Sequence, residues 1–136
     1  MECRLSSSPG PWSCQVSIRW EFEESGKRSD EVSELAFGKR ITDKSDVELR
    51  LRQAQAAVLN PKVPASQFLG LSEKGCLTGI KSNKPLLFSR NVVCVDLEGP
   101  ELTDLSFIDL PGMMFICSTI STCTLTSPFR RSHSEC

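Results

Sequence analysis

Leu105-Ser106-Phe107-Ile108-Asp109-Leu110-Pro111-Gly112 decides how this chain is read. Leu105, Phe107 and Ile108 have the composition of a buried strand. Pro111 then ends it, because proline fixes φ and has no N–H for a ladder. Gly112 lets the backbone come close to a ligand and take dihedrals closed to other residues. Asp109 stands where the strand gives out. Ligands of open α/β sheets bind at the carboxyl ends of strands. A carboxylate there can hold the waters of a Mg²⁺ ion, and a glycine N–H can meet a terminal phosphate. The same residue types are also the commonest turn formers. From these residues alone, an ordinary turn and a nucleotide site both stay open.

Upstream lies Phe88-Ser89-Arg90-Asn91-Val92-Val93-Cys94-Val95-Asp96-Leu97-Glu98-Gly99-Pro100, then Leu102-Thr103-Asp104-Leu105. Further back, Gln53-Ala54-Gln55-Ala56 leads to Leu59-Asn60-Pro61, followed by Val63-Pro64 and Phe68-Leu69. Together these resemble the dynamin superfamily of large GTPases, from about Met1 to Gly112 and most strongly from Phe88 to Gly112. The resemblance implies two adjacent strands joined by a Gly-Pro turn, and a helix ending in Asn-Pro before the chain returns to the sheet. It implies an α/β fold: an incomplete P-loop GTPase-like mixed sheet, residues 1–112, with one main helix at about 45–59. It also implies GTP and Mg²⁺ as ligands of the complete domain. Asp109 would hold the Mg²⁺ shell through water, Gly112 would sense the γ-phosphate, and Leu110 and Pro111 would complete that loop. Membrane remodelling and self-assembly, which belong to the family, reside largely in helical regions that do not occur here.

The chain has 136 residues, 39% hydrophobic and 24% charged, which suits one modest globular domain. A formal net charge of −1 offers no basic field for nucleic acid or an anionic membrane. Seven cysteines at irregular spacing, with no Cys-x-x-Cys pair, read as reduced thiols rather than as a disulfide framework or zinc site. The opening residues show no basic-then-apolar signal pattern, and no run is apolar enough to cross a membrane, so a cytoplasmic location is expected.

Taken in order, Met1–Ser8 begins like a strand already under way and turns at Ser6–Pro11. By resemblance this strand follows a switch loop whose threonine completes the magnesium site. Nothing before Met1 supplies that residue, so the chain reads as part of a domain. From Ser13 to Glu23, Cys14, Val16, Ile18, Trp20 and Phe22 alternate with polar residues, predicting a half-buried antiparallel strand with Trp20 in the core. A polar turn follows, and Glu31–Phe37 is ambiguous between helix and strand. The helix starts at Ser45, with Ser45 as N-cap and Glu48 completing a capping box. Val47, Leu51, Ala54 and Val58 form its apolar stripe, while Glu48, Arg50, Arg52, Gln53 and Gln55 cover much of the rest. Thr42-Asp43-Lys44-Ser45-Asp46 contains a Lys-x-Asp that imitates a guanine reader. It precedes the Asp-x-Pro-Gly element and opens a helix, so capping and solvation are expected of it. Pro61–Lys84 reads as a long connection with a short helical turn near Ser66–Leu69. Pro85–Glu98 and Leu102–Ile108 are the last two strands. Residues 113–136 form a divergent Ser/Thr-rich tail, expected to be disordered or poorly packed from about Ser118.

GTP hydrolysis relies on positioning and charge stabilisation, and a Gly-x-x-x-x-Gly-Lys-[Ser/Thr] loop supplies both. The 136 residues contain no such loop, nor a guanine-reading motif after Gly112. No tight GTP binding, no hydrolysis and no tightly held cofactor are therefore expected of this chain. An unpaired edge is expected beside Leu105 and Phe107, with self-association as its consequence. A Ser-His-Asp hydrolase is disfavoured because His133, the single histidine, lies in the tail. Asp96, Glu98, Glu101, Asp104 and Asp109 form an acidic series that could bind a cation, though carboxylates in turns are usually just solvated. The alternative reading is a non-enzymatic β-rich interaction fragment whose open edge recruits another strand.

Overall fold

The computed structural model describes residues 1–23, 25–78 and 85–109. Five strands form one open sheet: β1 (Glu2–Ser7), β2 (Ser13–Phe22), β3 (Arg28–Ala36), β4 (Val92–Gly99) and β5 (Leu105–Ile108). Their spatial order is β3-β2-β4-β1-β5. β1 and β4 run parallel, and every other neighbouring pair is antiparallel. The expected mixed α/β sheet with one main helix is present.

β2 organises the sheet. Its alternation places Cys14, Val16 and Ile18 opposite Leu97, Val95 and Val93 of β4. Helix α1 (Val47–Leu59) covers this face with Ala54, Ala57 and Val58, all buried. Trp20 is half-buried against the same core, as its place on the apolar stripe predicts. The β2–β3 turn resolves the ambiguity of Glu31–Phe37. Gly26 takes φ 79°, a left-handed conformation that favours glycine, and Glu23 N–H donates to the Lys27 carbonyl at 2.9 Å. The returning segment then finds a ladder on β2, and pairing decides in favour of strand.

The helix start differs from the expected capping box. Lys44–Asp46 is a 3₁₀ turn capped by Asp43, whose carboxylate accepts from Ser45 N–H at 2.9 Å and from the Ser45 hydroxyl at 2.8 Å. Ser45 therefore donates rather than caps, and Glu48 pairs with Arg52 one turn on, at 2.7 Å. An aspartate two residues ahead is the stronger acceptor, and it claims the orphan N–H first. Asn60 ends α1 where expected, with its N–H on the Ala57 carbonyl.

Gln53 is also corrected: it is buried, not solvated. Its carboxamide donates to the Leu69 and Leu71 carbonyls at 3.1 and 2.8 Å. These carbonyls belong to the connection after α1, which is more structured than a long loop. It contains a 3₁₀ turn at Ala65–Gly70 and a short helix α2 (Glu73–Thr78). The 3₁₀ turn drives Phe68 fully into the core.

β4 begins at Val92, not Pro85. β4 and β5 are not neighbours either, contrary to the adjacent pair that the sequence suggested, because β1 lies between them. The connection through Pro100–Asp104 is too long for a tight hairpin. Asp104 captures Ser7 N–H at 2.6 Å, which carries the chain past the end of β1 to its far side. The tail expectation for residues 113–136 lies outside the described residues.

Candidate functional site

Asp109 sits immediately after β5, as the sequence reading placed it, and is exposed. Its N–H donates to the Met1 carbonyl at 2.7 Å, and the Met1 ammonium donates to the Asp109 carbonyl at 2.6 Å. The backbone is thus held while the side chain faces outward. Leu110, Pro111 and Gly112 lie outside the described residues. The buried strand read from Leu105, Phe107 and Ile108 is corrected: all four residues of β5 are exposed, and among the described residues β5 lies at the end of the sheet. The strand-end argument also changes its meaning. β5 runs against β1, so its carboxyl end meets the amino ends of the parallel pair β1 and β4. The rule for ligand sites concerns the opposite end of parallel strands.

A cleft of about 470 Å³ opens at this end of the sheet, bordered by Met1, Val58, Leu59, Phe88, Ile108 and Asp109. Its wall is mainly aliphatic and aromatic. Arg90 also reaches it, with its guanidinium over the Phe22 ring at 5.3 Å from the centroid. Asn91 braces the wall. Its Oδ1 accepts from the N–H groups of Glu21 and Phe22, each at 2.9 Å, and its Nδ2 donates to the Phe22 carbonyl at 3.1 Å. This occurs where the β2–β3 register shifts between Trp20 and Phe22. The side chain satisfies backbone groups that the irregular ladder leaves behind. Sequence reasoning gave Asn91 no role, since no local pattern marks a residue that caps a distant bulge.

The acidic series does not gather around Asp109. Asp96 Oδ1 lies 2.6 Å from Arg4 Nε, Glu98 pairs with Arg40 at 2.8 Å, and Asp104 holds Ser7. Among the described residues no group of three or more His, Cys, Asp or Glu side chains could hold a metal. A lone carboxylate does not fit a magnesium site, which takes several oxygen donors in near-octahedral array. The Lys-x-Asp decoy is spent on the helix start, as expected.

The sheet face away from α1 carries a charge network that spans four strands. Arg4 bridges Glu34 and Asp96, and Arg19 bridges Glu2 at 2.7 Å and Glu34 at 3.2 Å. Ser17 Oγ donates to Glu34 at 2.9 Å. Burial alone would raise the Glu34 pKa; hydrogen bonds from Arg4, Ser17 and Arg19 outweigh it and lower it from 4.5 to about 2. A carboxyl depressed on folding stabilises the fold above its unfolded value, and that contribution fades as pH falls from about 4.5 toward 2. Glu34→Gln is expected to flatten the loss of stability across that window, measured by urea unfolding at a series of acid pH values. An unchanged acid profile would mean that the network contributes nothing. Beneath these charges Cys94 is fully buried, and burial pushes its thiol up to about 11. Cys14 is pushed equally far by burial on the other face. Thiols held protonated in this way are poor nucleophiles. No helix among the described residues is long and apolar enough to cross a membrane.

Compared with protein-family models, with characterised proteins and with solved structures, the chain finds no match.

Proposed function

We propose that this chain is part of a dynamin-like GTPase domain that by itself neither binds GTP tightly nor hydrolyses it. What supports this reading is the sequence Asp109-Leu110-Pro111-Gly112, which follows a strand of a mixed α/β sheet with one main helix. In the complete domain GTP and Mg²⁺ would be the ligands. Here the cleft beside Asp109 is largely apolar, and the sequence holds no phosphate cradle. One contact cannot offset the entropy lost when a nucleotide is immobilised. Titration with a fluorescent GTP analogue, with and without Mg²⁺, should show no saturable binding to the folded chain. Saturable, Mg²⁺-dependent binding lost in Asp109→Ala would overturn this inactivity and assign the phosphates to another segment. To test the family reading, residues carrying a phosphate loop would be supplied as a separate polypeptide. Restored binding that requires Asp109 is the expected outcome, and binding indifferent to Asp109 would reject it.

A second reading is favoured by the exposure of β5: the chain is a strand-accepting interaction unit. Leu105, Phe107 and Ile108 are 55%, 46% and 67% exposed on one edge strand. Edge strands of this kind recruit extended peptides through main-chain hydrogen bonds. An extended apolar peptide should shift the Ser106 and Ile108 amide resonances; no shift at saturating peptide would reject the reading.

A further inference from the structure

The two edges of the sheet are unlike. β3 exposes Val32 and Leu35 but also carries Arg28, Asp30 and Glu31, and charges are a common defence against edge-to-edge pairing. Residues 105–108 of β5 carry no charge, and three of the four are large and apolar.

The orientation of β5 follows from its ladder. Met1 and Asp109 exchange both backbone hydrogen bonds, and the register continues as Cys3 with Phe107 and Leu5 with Leu105. In an antiparallel ladder, backbone groups face the partner at every second residue. Leu105, Phe107 and Asp109 therefore face β1. The N–H and C=O groups of Ser106 and Ile108 face away and have no ladder partner among the described residues.

We propose that this edge pairs with β5 of a second copy of the chain, antiparallel about a two-fold axis at Ser106. Only even-numbered residues offer free groups, so a symmetric pairing has few registers. An axis at Phe107 would set Leu105 opposite Asp109 of the second copy. An axis at Ser106 sets Leu105 opposite Phe107 twice over, in the close non-hydrogen-bonded positions where apolar side chains cover one another best. Ile108 then faces Asp104, whose carboxylate is already turned to Ser7. No like charges meet. The contact is isologous and closes on itself, whereas β5 against β3 would run on without closing. This deepens the strand-accepting reading by naming its partner, and it does not depend on the nucleotide reading.

The test is sedimentation velocity of the full chain over a range of concentrations, with amide hydrogen exchange at Ser106 and Ile108. A dimer is expected, with both amides protected in proportion to dimer. Ile108→Glu sets a carboxylate at an exposed position opposite Asp104 of the second copy, where like charges repel. Ser106→Pro removes an N–H that β1 does not use, a placement that edge strands tolerate. Both should weaken the dimer by about tenfold or more while the circular dichroism spectrum stays the same. A monomer at every concentration overturns self-pairing. If an added apolar peptide still protects the two amides, the strand-accepting reading survives that failure. A dimer indifferent to both substitutions moves the interface elsewhere. Protected amides in a monomeric sample hand the edge to residues of the same chain and likewise overturn the proposal.

Discussion

Phe68→Ala should lower the unfolding free energy by about 3–5 kcal/mol, the usual range for removing a fully buried aromatic ring. Phe68 has no exposed surface and sits in the same core as Ala54, Ala57, Val16 and Val95. The ring arrives on a 3₁₀ turn that is itself held to α1 by Gln53, through the Leu69 and Leu71 carbonyls. Because the surroundings are tied down by hydrogen bonds, they cannot collapse far into the space left behind. Small domains have only about 5–15 kcal/mol in total, so the variant should be largely unfolded at modest urea concentrations. Urea titration followed by Trp20 and Trp12 fluorescence gives the number. Phe68→Leu, which retains most of the volume, should lose much less. A Phe68→Ala midpoint close to that of the unsubstituted chain would show that the connection after α1 is not part of the cooperative core.

The second large effect is expected at Asn91. Asn91→Ala deletes three hydrogen bonds to the backbone at the β2 irregularity and leaves the Glu21 and Phe22 N–H groups without their acceptor. At about 1 kcal/mol per bond, with an added cost where the orphaned groups stay shielded from water, the loss should be about 2–3 kcal/mol. Asn91→Asp keeps the acceptor for both N–H groups and loses only the donor to the Phe22 carbonyl, so it should fall between. The discriminating measurement pairs chemical denaturation with amide exchange at Glu21 and Phe22. Both amides should exchange faster in Asn91→Ala while those of Val16 and Ile18 remain slow. Uniform acceleration across β2 would place the residue in global stability and not in the bulge.

Much of the architecture was legible because short-range pattern and tertiary outcome coincide. The alternation of Cys14, Val16 and Ile18 needed only period two, and Val93, Val95 and Leu97 matched it. The stripe on α1 and its stop at Asn60 followed from helical spacing and from the proline that follows. Gln53 was misjudged because its carbonyl partners lie 16 and 18 residues away. Within Thr42–Asp46, expected to cap the helix, the N-cap was read as Ser45, which opens the commoner Ser-x-x-Glu pattern, whereas Asp43 supplies it. At the candidate site the sequence located Asp109 at the end of a strand. It did not show that the neighbouring carboxylates are committed to Arg4, Arg40 and Ser7.

Elements with their own periodicity or punctuation, namely β2, the core of β4, α1 and the termination at Asn60, were determined by the sequence alone. Local sterics and the hydrophobic period make them readable without knowledge of any long-range contact. The insertion of β1 between β4 and β5 was decided only by the tertiary structure. So were the four-strand charge network around Arg4 and Arg19 and the exposure of Leu105, Phe107 and Ile108. The reason is the same in each case. Strand order and side-chain partnership depend on groups brought together from distant parts of the chain, and an apolar run such as Leu-Ser-Phe-Ile has the same composition whether its strand lies in the centre of a sheet or at its edge.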